Sequence, residues 1–180
     1  MSNRKSRIAS LALLMAMSLG LFAGCSQNGG SDGSDGSNDG GTKDSIIIAT
    51  ANETPSLSPT EHNAVAGSYM NLLTYNTLFK SDMEMNPVPD LVEDYENISE
   101  SEWEFTIKTG VKFHDGSEMT VEDVKASLEW AKGFPEVSLY NDDIVSVDIV
   151  DDDTIKITTP GPDAMLLSNL CHHGNAIVPK

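Results

Sequence analysis

Apolar and polar residues alternate most regularly over residues 102–107, where Trp103, Phe105 and Ile107 are separated by Glu and Thr. Successive side chains of a β-strand point to opposite faces, so this period of two predicts a half-buried strand. Residues 91–98 form a similar apolar segment, and the polar turn 99–101 joins the two. Together they predict an antiparallel hairpin.

After Thr120 the spacing of apolar residues lengthens to three or four, which predicts a helix. Thr120 suits the N-cap position, and Glu122 and Asp123 place negative charge at the positive end of the helix dipole. Between the hairpin and this helix, a short apolar pair at 111–113 predicts another short strand, and a turn follows at 114–116. The apolar positions of the helix are Val121, Val124, Leu128 and Ala131.

Other segments follow the same two periods. Residues 145–149 and 155–157 alternate on either side of the aspartates at 151–153, which predicts a second hairpin. A helix over 62–74 carries Val65, Tyr69, Leu72 and Leu73 on one side. The pattern further predicts a buried strand at 45–50, a loop at 85–89, one or two helical turns over 163–170 capped by Asp163, and a strand at 176–178.

Residues 1–24 have the character of a bacterial lipoprotein signal peptide. Three basic residues precede an apolar run over 8–22 that is short for a membrane span, and small residues lead to Cys25. We therefore expect cleavage before Cys25 and lipidation of its thiol, so that acyl chains anchor the protein to a membrane. An ordinary secretory signal that happens to end beside a cysteine is the alternative.

Residues 25–43 consist of the lipidated cysteine and a segment made almost entirely of Ser, Gly, Asp and Asn. Such a composition cannot bury a core, so it predicts a flexible tether. The folded part is then expected over residues 44–180.

Charge and cysteine usage narrow the function classes. The 28 acidic residues outnumber the 11 Lys and Arg, and the formal net charge is −17. Nucleic acid is excluded as a partner because phosphate binding requires a basic surface. Cys171 has no partner for a disulfide once Cys25 is acylated. No nucleophile motif or phosphate loop is present, so an enzyme is the weakest option and no cofactor is expected.

Several blocks of the chain, in order, resemble the family 5 extracellular solute-binding proteins, the dipeptide-, oligopeptide- and nickel-binding lipoproteins that feed ABC importers. The resemblance covers nearly all of residues 45–180. It implies an α/β, periplasmic-binding-protein-like type II fold, present here as an incomplete first lobe with a mixed sheet, hairpins and short helices. The matching blocks are residues 75–78, 104–108, 110–116, Thr120 with Asp123 and Val124, 147–157, and 167–180.

Members of that family are longer, two-lobed proteins that enclose the ligand between their lobes. By this resemblance residues 44–180 are the N-terminal part of the solute-binding domain, and the second lobe is absent. The chain stops two residues after a strand that looks buried, so we expect a truncated chain.

The resemblance also implies the function. We expect an extracytoplasmic, lipid-anchored receptor that captures peptides or a similar small polar solute and passes it to an ABC permease. Two alternatives stay open. One is a receptor for nickel or a metal chelate, and the other is a peptide-sensing lipoprotein that does not transport.

The candidate site residues come from the same resemblance. The segment after the turn 57–59 meets the ligand in the family, and the loop before the last strand reaches it in some members. The first segment supplies His62, Asn63, Ala64 and Val65, and the second supplies His172, His173 and Asn175. The alternative for His62 is a surface residue that merely precedes a helix.

Three other features resemble a metal site, an acid–base pair and an aromatic ligand shelf, but each has a simpler explanation. Cys171, His172 and His173 are metal-ligand types, yet adjacent residues rarely converge on one ion, so no metal site is predicted. The pair at 114–115 is expected to form a turn rather than an acid–base couple. Trp103 and Trp130 are expected in the core rather than on a ligand shelf.

Overall fold

The computed structural model describes residues 45–180. Among them no helix is both long and apolar enough to cross a membrane. The predicted signal peptide, the lipidation at Cys25 and the tether up to residue 43 lie outside the described residues. The elements in chain order are α1 (Val65–Thr74), β1 (Phe79–Ser81), β2 (Pro87–Pro89), β3 (Val92–Ser99), β4 (Glu102–Ile107), α2 (Val121–Ala131), β5 (Ser146–Ile149), β6 (Thr154–Thr158) and α3 (Leu166–Asn169), with short 3-10 turns at Ser138–Tyr140 and His173–Asn175.

The main sheet has four strands in the order β3-β4-β6-β5. The hairpins β3-β4 and β5-β6 confirm both predicted hairpins, and β4 pairs with β6 so that Phe105 lies opposite Ile155. Every strand pair between residues 45 and 180 is antiparallel, so the parallel pairing that a mixed sheet requires does not occur in this range.

Helix α2 packs on this sheet as its period predicts. All four of its predicted apolar positions are buried, and Val121, Val124 and Leu128 share one core with the inward side chains of β4 and β6. Each fully buried Leu or Ile contributes about 1.5–3 kcal/mol. At the N-terminus the carboxylate of Asp123 accepts hydrogen bonds from the backbone N–H of Thr120 at 2.9 Å and from its hydroxyl at 2.8 Å. The predicted N-cap is confirmed.

Three predictions about extended segments are corrected, two of a strand and one of a loop. Residues 45–50 form no strand, and Ile46 and Ile47 are 84% and 94% exposed, because no described strand pairs with them. Residues 111–113 form only an isolated bridge between Lys112 and Glu118. The predicted loop at 85–89 contains β2, which pairs with β1. Its prolines are tolerated because β2 is an edge strand.

Helix α1 begins at Val65 rather than at residue 62, and its apolar side faces outward. Gly67 and Asn71 lie on the buried side, against His62. The apolar side has no covering element within residues 45–180. Its exposed members are Val65, Tyr69, Leu72 and Leu73, each 57% or more exposed.

The last part of the described chain is held by side chains rather than by a strand ladder. Residues 176–178 are not a strand, although Ile177 is buried as expected. The Ile177 N–H donates to the Asn76 carbonyl at 3.0 Å, while Val178 exchanges two hydrogen bonds with the Ser127 hydroxyl, at 3.0 and 3.1 Å. Asp163 caps the turn before α3, accepting the Met165 N–H at 2.7 Å, and not the helix itself.

The two tryptophans differ. Trp103 is half-buried and stacks with Phe105 at a centroid distance of 6.3 Å. Trp130 is 43% exposed and meets Phe134 edge to face, so the core prediction is wrong for it. Trp130 directly precedes the buried Ala131 on α2, so its side chain points about 100° around the helix from that of Ala131 and away from the core.

Candidate ligand-binding site

The two segments predicted to meet a ligand lie side by side, although they are more than a hundred residues apart in sequence. The Asn63 Oδ1 atom is 3.1 Å from His172 Nε2. The His173 Nε2 atom is 3.2 Å from the carbonyl oxygen of His62. These contacts bring the loop before α1 against the loop after α3.

A column of four rings forms the centre of this contact. Its members, in order, are His62, His173, His172 and Tyr140, and we call this group the histidine stack. Successive ring centroids are 5.3, 4.1 and 3.6 Å apart. Three of the chain's four histidines take part. Tyr140 comes from the 3-10 turn Ser138–Tyr140, so the stack joins three separate segments.

Hydrogen bonds define where the ring protons lie. The Gly174 N–H donates to His172 Nδ1 at 3.1 Å, so the proton of that ring is on Nε2 and is donated to Asn63 Oδ1. The other end of the Asn63 amide, Nδ2, donates to the Tyr140 hydroxyl at 3.4 Å. Both ends of the Asn63 side chain are therefore held by adjacent rings of the stack.

The pKa values of His172 and His173 are lowered, so these two rings are uncharged at neutral pH. Burial, followed by the repulsion expected from charged His173 and His62, lowers the pKa of His172 from 6.5 to about 3. Burial also lowers the pKa of His173, although its bond to the His62 carbonyl acts in the opposite direction. No carboxylate between residues 45 and 180 forms a hydrogen bond or ion pair with these rings.

Helix α1 receives the first ring of the stack. A Cβ atom at Gly67 would lie 2.1 Å from His62 Cε1, so the ring occupies the space that any larger side chain would need. One turn later the amide of Asn71 is 3.3 Å from His62 Nε2. A Cβ at Gly174 would likewise come within 2.6 Å of Val137. Small size at these positions allows the segments to approach.

Sequence reasoning missed Tyr140, Asn71, Gly67 and Gly174. One signal was available, because Gly67 and Asn71 lie four residues apart on an otherwise apolar helix and therefore share a face. Tyr140 lies in a segment without periodicity, and no pattern pairs it with a histidine so far along the chain.

The remaining predicted residues lie beside the stack rather than in it. Ala64 and Val65 are exposed at the start of α1. Asn175 is fully buried, and its Nδ2 donates to the Asn169 carbonyl at 2.8 Å, so its amide supports the loop that carries His172. A ligand role for these residues stays a prediction.

The candidate metal ligands do not converge. The Cys171 thiol donates to the Leu167 carbonyl at 3.3 Å, and both nitrogens of His172 are engaged in hydrogen bonds. Within residues 45–180 no three His, Cys, Asp or Glu side chains are grouped so that they could hold a metal ion.

A separate cleft of about 260 Å³ lies away from the stack, between the 74–76, 111–115 and 177–179 segments. His114 and Asp115 line it, but Asp115 Oδ1 accepts hydrogen bonds from the Ser117 N–H at 2.8 Å and from its hydroxyl at 2.6 Å. The bond from the Ser117 hydroxyl lowers the pKa of Asp115 most, and the bond from the Ser117 N–H lowers it further. Gly116 has a φ of +89°. The predicted turn is confirmed.

Comparison with known proteins identifies the broader group. Residues 86–180 match the family model of bacterial extracellular solute-binding proteins, family 5 Middle. The glutathione-binding protein GsiB of Pectobacterium atrosepticum is 35% identical over 132 residues, which are 70% of this chain and 25% of that protein. The chain thus spans about a quarter of the length of such relatives.

Solved structures of the type II periplasmic binding proteins agree. NikZ from Campylobacter jejuni, in complex with Ni(L-His), is 27% identical with a TM-score of 0.65 over 77% of this chain and 28% of that one. The protein AgaA from A. tumefaciens R10, in complex with agropinic acid, is 28% identical with a TM-score of 0.63 over 71% of this chain and 26% of that one. The predicted fold class is therefore confirmed. This chain belongs to the bacterial extracellular solute-binding proteins of family 5.

Proposed function

We propose that the protein is the lipid-anchored solute-binding component of an ABC transporter, and that it captures peptides or a similar small polar solute outside the cytoplasmic membrane. The observation that carries this proposal is the meeting of the two candidate ligand segments, residues 62–65 and 172–175, on one side of the described domain. They form a site from parts of the chain that no local folding rule requires to touch.

In this proposal residues 44–180 are the N-terminal part of the first lobe of a longer protein. The match covers only about a quarter of the length of the relatives, which supports the presence of a second lobe. A solute held between two lobes stabilises the closed form in proportion to its extra contacts there, and the permease recognises that form. The protein itself needs no catalytic group for this cycle.

The solute class follows from the relatives and from the site. The names of the relatives mention glutathione, Ni(L-His) and agropinic acid, which are small polar molecules. The site offers the exposed backbone of Asn63 and Ala64 and the rim of the stack. We place peptide-like solutes first, because both ring nitrogens of His172 and Nε2 of His173 are already engaged by the protein and are not free to bind nickel.

A titration experiment tests the solute class. Purified protein is titrated calorimetrically with reduced glutathione, with trialanine and with the Ni(L-His) complex. We expect binding of a peptide, weakened roughly tenfold by Asn63→Ala, because that change releases both rings that hold the loop. Asn52→Ala, at another exposed asparagine, is the matched control. Binding of the nickel complex alone would replace the peptide proposal with metal-chelate uptake.

Lipid anchoring is tested separately. Bacteria that express the chain are grown with an alkyne analogue of palmitate, and the protein is examined for label. We expect label on the wild-type chain and none on Cys25→Ser, while Cys171→Ser keeps it. Equal labelling of the Cys25→Ser chain would refute the lipoprotein assignment. Genes for a permease and an ATPase beside this one would favour transport over sensing.

A further inference from the structure

We propose that the histidine stack positions the ligand loop, defined as residues 61–64, and that it releases this loop in acid. The proposal rests on the proposed function, because it assigns His172 and Tyr140 a positioning role for the segment that meets the solute. It goes beyond that function by linking solute capture to pH.

The first step is that hydrogen bonds to the stack fix the ligand loop against the rest of the domain. Within residues 45–180, each hydrogen bond from residues 61–64 to the chain beyond α1 ends on a member of the stack. Asn63 bonds to His172 and Tyr140, and the His62 carbonyl bonds to His173. The rings of His172 and Tyr140 are 3.6 Å apart and tilted by only 12°, so they hold the Asn63 amide in one orientation.

The second step is that a proton cannot be added to His172 without breaking the hydrogen bond that fixes its ring. A second proton on His172 must go to Nδ1, which already accepts the Gly174 N–H, so two donors would then face each other. A charge on any imidazole of the stack also lies against at least one other imidazole, at a centroid distance of 4.1 to 5.3 Å. The neutral form of His172 therefore favours the closed conformation, in which the stack holds residues 61–64 in place.

The third step is that no neighbouring charge offsets that cost. Helix α1 presents the uncharged Gly67 and Asn71 to the stack. The Glu61 carboxylate is engaged by the Ser56 hydroxyl at 2.8 Å. The titratable groups that each segment brings to the stack are His62 from the loop, Tyr140 from the 3-10 turn, and His172, His173 and the neighbouring half-buried thiol of Cys171 from the segment after α3.

The direction of the pH effect follows from linkage. In the opened loops a histidine has a pKa near its ordinary value of 6.5, whereas in the closed loops the pKa of His172 is about 3. The free-energy preference for the closed loops is thus fully present above pH 6.5, and it decreases as the pH falls toward 3. For each such proton the ratio of opened to closed loops rises about tenfold per pH unit below 6.5.

Loop opening is first measured without solute. The backbone amide signals of Asn63 and Gly174 and the ring ¹⁵N signals of the histidines are followed by NMR between pH 7.5 and pH 5. We expect a neutral His172 ring with its proton on Nε2 at pH 7.5, and opened loops as the pH falls. If these signals stay the same to pH 5, the stack does not release the loop and the proposal fails, whatever the protein binds.

Solute binding is then measured with reduced glutathione at both pH values, on wild type and two variants. His172→Gln keeps an N–H donor for Asn63 but does not take up a proton in this range. His114→Gln removes the exposed histidine of the 114–116 turn and is the matched control. We expect wild type and His114→Gln to bind about tenfold or more weakly at pH 5 than at pH 7.5. The ratio of the two affinities should be much smaller for His172→Gln, whatever its affinity at pH 7.5.

The outcomes separate the two proposals. Equal affinity at both pH values, or an unchanged acid effect in His172→Gln, overturns the positioning role. Loops that open in acid, in a protein that binds neither glutathione nor Ni(L-His) at pH 7.5, support the acid release but count against the proposed function.

Discussion

Gly67 shows how a single missing methyl group shapes the candidate site. It lies inside helix α1, where glycine normally costs about 0.5–1 kcal/mol relative to alanine. Here the His62 ring fills the space that a Cβ would take, at 2.1 Å from the nearest ring atom. The glycine is needed for its size rather than for its flexibility.

Gly67→Ala is therefore expected to destabilise the protein, against the usual propensity. Overpacking of this kind costs about 1–3 kcal/mol, which exceeds the helix gain. Urea unfolding measures the change. Gly161→Ala is the control, since nothing lies within 4 Å of a Cβ there. A more stable Gly67→Ala protein would mean that the His62 ring does not lie against α1 in solution.

At the residue scale the sequence could supply only part of the site. The family resemblance predicts His62, Asn63, His172 and His173 as ligand contacts, and the structure brings these four residues together. Their partner Tyr140 could not be found, because ring stacking between distant segments leaves no periodic trace. The prediction for Asn175 concerned a side chain that turned out to be buried under the loop.

At the scale of elements, the two longer helices show what periodicity does and does not report. For α2 the sequence predicts the start, the N-cap and the buried face correctly. The period of α1 also predicted a helix, but its apolar side is exposed. Spacing records which side chains share a face, whereas the surface that covers that face depends on other parts of a chain.

The capping arrangement at the start of α2 makes a prediction. Burial would raise the pKa of Asp123, but hydrogen bonds from Thr120 and from the Lys180 N–H outweigh it and leave the pKa below 3.8. Asp123→Asn should cost about 1–2 kcal/mol at pH 7. A folded-state pKa below the unfolded one means that this stability is present above pH 4 and is lost as the pH falls.

Chemical unfolding at pH 7 and pH 3 checks this. The difference between wild type and Asp123→Asn should shrink at pH 3. Glu122→Gln, an exposed acid in the same turn, is expected to change little at either pH. An Asp123→Asn protein as stable as wild type at pH 7 would contradict the role assigned to the carboxylate.

At the scale of the whole molecule, the exposed side of α1 contrasts with a strongly acidic chain. A patch of Val65, Tyr69, Leu72 and Leu73 beside a net charge of −17 is unusual, because large exposed apolar patches commonly mark surfaces that something else covers. We expect another part of the longer protein proposed above to cover it.

Replacing two of these residues tests their exposure. We expect Leu72→Gln with Leu73→Gln to change the free energy of unfolding by less than about 1 kcal/mol, whereas Leu128→Ala in the core costs about 2–5 kcal/mol. Analytical ultracentrifugation should show weaker self-association for the double variant. A cost as large as that of Leu128→Ala would show that this face is covered in solution.

The histidine stack also bears on the order in which the molecule assembles. Its bond from His172 to Asn63 spans 109 residues, whereas the hairpin β3-β4 closes over a turn of a few residues. Closing a long loop costs more chain entropy, and contacts of this kind form after local ones. We therefore expect the ligand loop to close last during folding and to open first in native-state hydrogen exchange. The segment proposed to meet the solute would then be the last to acquire its structure.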